Sequence, residues 1–470
     1  MKTINVKDYG ALGNGKHNDT VLIQSAIDEL DANNGGILFF PEGIYLCGTL
    51  ILCSNITLTG NNATLSLVSD ESYLKRIPFG SGNRFSESAH NYTGFDCNLG
   101  FLCASDKENI CILNLALEAD DRSFCEEVEE DPFVYKQGAV NTPGTFFGDH
   151  YTYIPNRARP QMIFFNDCKN VSIDNIRIYK SPCFSAWLLR CENINVQKTI
   201  IRNNYNQYNA DGFHFSSCKN VFVSNCDFSC GDDCIAIDTN SGGDAHNYVI
   251  ENCVFQTSMH AIRLYSGLDL KKVFGRKNSG TLSQVLFRNI KVNGCGAIVI
   301  INAFDGDISD VKFDNVSGCE DAYGTAYCFT ANEGMISDVT VCNSSIKGDG
   351  AVFGYADGNG QIRDILFENT DFEIRPVLKY WGVAEVCENA SHAFGKPYNI
   401  TLKGCQNIKF QNCSLRFEPP VFSDSFTDTE REKIIKAIGE EHLIKIEPSF
   451  IPALSEIGCK DIDVSTLQVE

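Results

Sequence analysis

The feature that most narrows what this chain can fold into is an internal repeat. Cys168-Lys169-Asn170-Val171-Ser172-Ile173 recurs as Cys191-Glu192-Asn193-Ile194-Asn195-Val196 and as Cys218-Lys219-Asn220-Val221-Phe222-Val223. A looser copy follows at Asn247-Tyr248-Val249-Ile250, so that Asn170, Asn193, Asn220 and Asn247 are 23, 27 and 27 residues apart. A related unit continues as Ile308-Ser309-Asp310-Val311, Ile336-Ser337-Asp338-Val339 and Ile362-Arg363-Asp364-Ile365, and Cys405-Gln406-Asn407-Ile408 closes the series. Periods of this length mean stacked supersecondary units. Within a unit Val171, Ile173, Ile176 and Ile178 alternate with polar residues, which is strand periodicity, and no unit carries ten residues of helical period. Stacked helix pairs are excluded. The pattern predicts an all-β parallel β-helix.

Asn at equivalent corners of successive coils is expected to stack, each amide bonding the next. That ladder also accounts for Asn-x-Ser/Thr matches such as Asn170-Val171-Ser172 without invoking glycosylation. The 22 cysteines fall on the same repeat, with no Cys-x-x-Cys pair and no His at zinc-finger spacing, and are read as reduced, small core residues rather than disulfides or metal ligands. The ends should differ from the middle, because a coil stack has open edges. Asp19-Thr20 leads into Val21–Ala32, where Ile23, Ala26, Ile27 and Leu30 share a helical face and Asn34-Gly35-Gly36 stops the helix. This N-terminal helix is expected to cap the stack. Thr427-Asp428-Thr429-Glu430 is a capping box ahead of a second short helix, Thr429 to Ile438.

These elements divide one solenoid domain into a cap with first coils (1–65), a long polar insertion (66–160), regular coils (161–420) and a C-terminal cap (421–470). The insertion carries the acidic run Glu126-Glu127-Val128-Glu129-Glu130-Asp131, read as a solvated loop or a lid. With 43% hydrophobic residues in 470, the chain buries a large core, and its net charge of -21 argues against nucleic-acid or membrane partners. It does not argue against an anionic small substrate. Met1 to Val6 lacks the apolar core of a signal peptide, so a cytoplasmic location is expected. Oligomeric state is not legible.

Two segments hold more acid than a ladder needs: Asn209-Ala210-Asp211-Gly212-Phe213 and Gly231-Asp232-Asp233-Cys234-Ile235-Ala236-Ile237. Asp211 and Asp232 are 21 residues apart, close to one coil, so three carboxylates should converge on neighbouring strands about 4.8 Å apart. Consecutive Asp232 and Asp233 share a face only where the backbone bends, which Gly231 permits. Crowded carboxylates resist simultaneous ionisation, and that supplies a general acid and a general base together. Glycoside hydrolysis uses such a pair, and an inverting enzyme holds them about 6.5–9.5 Å apart to admit water. Calcium binding is the competing reading of clustered carboxylates, although no metal or other cofactor is called for. One coil on, His260 falls 27 residues past Asp233, and Arg263 is a candidate bidentate grip for a substrate carboxylate, or else a salt-bridge partner. His214, Asn209 and Tyr265 are further candidate substrate contacts.

At these residues the chain resembles glycoside hydrolase family 28, the polygalacturonase and rhamnogalacturonase family of pectin-degrading enzymes. The likeness begins at Asn5-Val6-Lys7-Asp8-Tyr9-Gly10-Ala11 and Phe40-Pro41-Glu42-Gly43-Ile44-Tyr45. It continues through Arg159-Pro160, Ser181-Pro182 and Cys191-Glu192-Asn193, and peaks at the two aspartate motifs. The resemblance implies a single-stranded, right-handed parallel β-helix of the pectin lyase-like kind, hydrolysing an oligosaccharide with inversion. By position, Asp232 is similar to the family's general acid, Asp211 and Asp233 to the pair that holds and deprotonates water, and His260 to the His of its Gly-His-Gly motif. The chain departs from the family at Met259 and Ala261, which replace those glycines. It departs again at Gly296-Ala297-Ile298-Val299-Ile300-Ile301-Asn302, where the family's uronate-binding Arg-Ile-Lys is missing. The resulting expectation is an exo-acting inverting glycosidase on a plant-type, pectin-derived oligosaccharide. A β-helix lyase, epimerase or fructosyltransferase, or a non-catalytic carbohydrate-binding β-helix, is the alternative.

Overall fold

Asparagine in the left-handed region turns the chain at each corner. Asn55, Asn109, Asn170, Asn193, Asn220 and Asn247 all have φ between 55° and 64°, a conformation Asn tolerates better than other side chains with a Cβ. Their side chains form the expected ladder: the Nδ2 of each donates to the Oδ1 of the one before, at 2.7 to 3.0 Å from Asn109 to Asn247. Asp310, Asp338 and Asp364 occupy the same kind of corner with φ of 54°, 54° and 57°, and Asn407 donates to Asp364 at 2.6 Å.

The computed structural model describes residues 1–77, 98–127, 153–205, 207–267, 280–319, 326–348, 350–374, 400–417 and 454–470. The described residues fall in two compact units, those up to Glu127 with Tyr153–Val254, and those from Phe255 onward. Both are built from in-register parallel strands, as in a parallel β-helix. In the first unit Glu108–Glu118, Lys169–Asp174, Glu192–Gln197 and Lys219–Ser224 pair in sequence, and register offsets of 23 and 27 follow the asparagine spacing. Val171, Ile194 and Val221 stack in one column, and Ile173, Val196 and Val223 in the next. All six are buried. A second sheet runs Leu99–Ser105, Gln161–Asn166, Ala186–Leu189, Phe213–Ser216 and Ile235–Asp238. In the second unit the strands His260–Ser266, Ala297–Ala303, Tyr327–Ala331, Val352–Ala356 and Ile400–Lys403 form one sheet. Leu282–Asn293, Ile308–Cys319, Met335–Cys342, Gln361–Glu368 and Cys405–Gln411 form the other.

The N-terminal helix, Thr20–Ala32, buries Thr20, Ile23, Ala26, Ile27 and Leu30. Its Gln24 grips an edge strand: Nε2 donates to the Ile51 carbonyl at 3.0 Å and Oε1 accepts from the Ile51 amide at 2.8 Å. These are backbone groups that an uncapped stack would leave open. The expected insertion over 66–160 is corrected in part. Leu99–Ser105 and Glu108–Glu118 inside it are a regular coil, paired with Gln161–Asn166 and Lys169–Asp174. Its offset to the next coil is 61 residues (Ile110 to Val171), so a search at 23–28 passes over it. Glu129–Asp131, the 78–97 segment and the helix expected at Thr429–Ile438 lie outside the described residues.

The 20 described cysteines are free thiols, 17 of them buried, and burial pushes most of them up. Among the described residues no helix is long and apolar enough to cross a membrane. Cys459 differs from the rest: a hydrogen bond from the Cys405 thiol holds it down at about 6. At pH 7 it is therefore mostly thiolate and should be the first of the described cysteines to be carboxamidomethylated in the folded protein. Labelling should fall away below about pH 6, and mass spectrometry of a pH series reads this directly. The Asn193→Ala variant loses two ladder bonds and places a Cβ residue without Asn's tolerance at φ 59°. It should cost about 2–3 kcal/mol in urea unfolding.

Candidate active site

Two consecutive corners of the first unit build the site. The chain leaves one sheet at Ile200–Arg202 and enters the other at Phe213–Ser216, and one coil later leaves at Asp227–Cys230 and enters at Ile235–Asp238. Gly212 N donates to the Asp233 carbonyl at 2.8 Å and Phe213 N to the Cys234 carbonyl at 3.1 Å. The register that follows, Phe213 beside Ile235, sets Asp211 against Asp233 rather than Asp232. Two glycines permit this approach. A Cβ on Gly212 would lie 2.2 Å from the Cys234 carbonyl oxygen, and one on Gly231 would lie 2.4 Å from that of Asn204. Gly231 therefore serves by leaving room, where the sequence suggested a need for backbone freedom.

Asp211, Asp232 and Asp233 are 1%, 6% and 0% exposed. Asp232 is pinned by two backbone amides, Oδ2 accepting from Asn209 N at 3.1 Å and Oδ1 from Asp233 N at 3.0 Å. Asn209, at φ 52°, is itself held, since its Oδ1 accepts from Arg159 Nη2 at 3.1 Å. Arg159 is 2% exposed and also donates to the carbonyls of Pro182 and Tyr208. Gln207 Nε2 donates to the carbonyls of Ser181 and Pro182 at 2.7 and 2.9 Å. Asn209 is thus a positioning residue for Asp232.

His214 is a correction. It was expected against a sugar, but it is fully buried. Phe213 and Phe215 turn inward, Phe213 stacking on Phe228 and Phe215 meeting Tyr248 edge-on. The pleat then puts His214 on the opposite face, where its ring lies 4.8 Å from that of Phe184 and 6.0 Å from that of Trp187. Nε2 meets Asp238 Oδ2 at 2.5 Å and Nδ1 lies 3.5 Å from Asp211 Oδ2. The imidazole links a structural carboxylate to one of the three candidate catalytic ones.

His260, Arg263 and Tyr265 belong to the second unit, on the strand His260–Ser266. His260 is 6% exposed and pairs with Ala297. Arg263 and Tyr265 share the opposite face from Ile262 and Leu264, and the guanidinium lies 4.6 Å above the Tyr265 ring centroid. The neighbouring strand, Ala297–Ala303, is buried throughout, and Ile300 stands beside Arg263. Among the described residues no group of three His, Cys, Asp or Glu side chains is placed to hold a metal ion.

A family model described as Glycosyl hydrolases family 28 matches residues 133–317, the stretch that contains both aspartate corners. Residues 3–99 match a second, described as Rhamnogalacturonase A/epimerase, pectate lyase-like. Over residues 133–317 the chain is similar to the family 28 glycoside hydrolases. Among family relatives, a probable rhamnogalacturonase E of Aspergillus flavus is 23% identical over 81% of this chain and 68% of its own. An exo-poly-alpha-D-galacturonosidase of Dickeya chrysanthemi is 23% identical over 77% of this chain and 58% of its own. The chain spans about half to two thirds of the length of the curated relatives it matches. In fold it is similar to the family 28 exopolygalacturonase of Yersinia enterocolitica, with a TM-score of 0.68 at 15% identity, covering 98% of this chain and 78% of that one.

Sequence reasoning found the three aspartates but missed the residues behind them. Asp238 is signalled only by register: His214 pairs with Ala236, so an acid two residues on can reach round to the ring. Arg159 and Gln207 act through carbonyls, which no motif records. Removing the imidazole in His214→Ala takes a hydrogen-bond partner from buried Asp238, and the loss should be about 3 kcal/mol in urea unfolding. Asp227→Ala, which breaks the half-exposed ion pair with Arg202, should cost less than about 1 kcal/mol.

Proposed function

We propose that this chain is an inverting glycoside hydrolase that removes terminal residues from a pectin-derived, uronate-containing oligosaccharide. One observation carries the reading: the Asp211 and Asp233 segments are hydrogen-bonded neighbours, with Asp232 pinned beside them by two amides. Three buried carboxylates this close repel one another, a condition that favours a proton on one while the others stay charged.

In the proposed mechanism Asp232 is the general acid. The two amide donors fix its rotamer, while repulsion from Asp211 and Asp233 is what favours a proton on it for the glycosidic oxygen. Asp211 and Asp233 hold a water between them and take its proton as its oxygen attacks the anomeric carbon from the opposite face. The bond to the leaving sugar breaks as the Asp232 proton reaches it. His214 holds Asp211 in place and, through Asp238, sets the charge around it. By position in the family motif His260 is a candidate catalytic residue, and Arg263 is the candidate for a substrate carboxylate in place of the absent Arg-Ile-Lys. Exo-action is supported by the exopolygalacturonase relatives.

Asp232→Asn should reduce kcat by about 10²–10⁴, the range of a lost general acid, with KM little changed. NMR of the first product formed from trigalacturonate should show the inverted anomer, released one monosaccharide at a time. A retained anomer, or an unsaturated product absorbing in the ultraviolet, would overturn the hydrolytic assignment.

A further inference from the structure

On the second unit, parallel register lines up five side chains that no part of the proposed mechanism uses as a set. Tyr265 pairs with Asn302, Asn302 with Thr330, Thr330 with Tyr355, and Tyr355 with Lys403. Residues of the alternate parity point into the coil: the Tyr327 ring lies 6.0, 5.8 and 6.4 Å from those of Phe313, Phe367 and Phe372 on the other strands. The row Tyr265–Asn302–Thr330–Tyr355–Lys403 therefore lies on the outer face of its sheet. The adjacent row on that face, Ile300, Cys328 and Phe353, is apolar and closely packed, so the polar residues are not a random outer surface.

We infer that this row is a binding subsite for a carboxylated sugar residue. Its floor is Asn302 and Thr330, 0% and 3% exposed. Thr330 Oγ1 donates to Asn302 Oδ1 at 2.5 Å, which orients the amide and leaves Nδ2 buried with no partner. A buried donor without an acceptor costs about 1–3 kcal/mol, and a ligand oxygen would satisfy it. The walls are two half-buried phenols. Each carries a cation: Lys403 Nζ lies 4.4 Å from the Tyr355 ring centroid and 3.1 Å from its hydroxyl, and Arg263 covers Tyr265. Aromatic faces suit the apolar face of a sugar ring. An amide N–H, an ammonium and a guanidinium all seek oxygen acceptors, preferably charged ones. Since Asn302 is 0% exposed, a ligand oxygen reaches its amide only when the side chains covering it move aside. The inference deepens the proposed function and rests on its reading of an acidic oligosaccharide substrate.

Calorimetric titration of trigalacturonate and of neutral galactotriose into the Asp232→Asn chain tests it. Lys403→Met should weaken trigalacturonate binding about tenfold, or roughly 1.4 kcal/mol, and leave galactotriose unchanged. Lys403→Arg should restore most of the loss. Asn302→Leu should weaken both ligands. Unchanged trigalacturonate affinity in Lys403→Met, with an unchanged melting temperature, would overturn the subsite, as would failure of the parent chain to bind trigalacturonate. Should Asn302→Leu fold poorly, the Lys403 pair of variants decides alone. The two readings fail separately. Lysine-dependent binding without turnover in the wild type sinks the hydrolase and keeps the subsite, whereas turnover with binding indifferent to Lys403 does the reverse.

Discussion

Everything in this chain depends on parallel backbone hydrogen bonding held in one register from coil to coil. A parallel ladder has no tight turn of its own, and each coil must come back to the same place by way of its corners. The corners here are side-chain matter. Asn109, Asn170, Asn193, Asn220 and Asn247 accept the left-handed conformation and donate to one another along the stack, so a slip of one residue would break the amide ladder and the buried Val/Ile columns together. Cysteine completes this arrangement by filling the interior at the coil starts, as where Cys168 N donates to Cys191 Sγ. The N-terminal edge, which register alone would leave open, is closed by one glutamine.

The candidate site is what that register does to two acidic corners. Parallel stacking brings the Asp211 and Asp233 segments to strand spacing without any catalytic requirement. The cost of gathering three carboxylates is then offset locally, by backbone amides on Asp232, by an imidazole between Asp211 and Asp238, and by a buried arginine whose donors go to Pro182, Tyr208 and Asn209. Gly212 and Gly231 are required because neighbouring carbonyls come within 2.2 and 2.4 Å of where their Cβ atoms would be. The same stacking that makes a solenoid stable thus makes a cluster of acids tolerable.

How much of this was legible in the sequence follows from how far apart cause and effect lie. The β-helix and its columns could be read because Asn170, Asn193, Asn220 and Asn247 state their own period. The coil at Glu108–Glu118 could not, because intervening residues stretch its offset to 61, although Asn109 and Asn114 mark its corners as plainly as any. The aspartates were visible as a departure from the repeat. His214 was visible too but misassigned: whether a polar residue meets solvent or lies behind the reactive group is decided by which neighbours cover it, and here Phe184 and Trp187 do so from more distant sequence. Asp238 was silent, since an acid at a strand end looks like any other turn residue.

The chain's net charge of -21 bears on the remaining question of how such a protein holds an acidic sugar. A global negative field opposes the approach of an anion, but with a screening length near 8 Å at physiological salt only cations in the immediate neighbourhood of the ligand matter. Arg263 and Lys403 are such cations, and both are already seated on tyrosine rings. A cation lying on an aromatic face is held in place and partly desolvated before any ligand arrives, so less ordering remains to be done on binding. The strand where the resemblance would place the basic motif is instead fully apolar at its centre, with Ile300 beside Arg263. Arg263 on the next strand to one side and Lys403 on the third strand to the other, each paired with a ring, are the basic groups that the proposed subsite puts in place of the motif the sequence lacks.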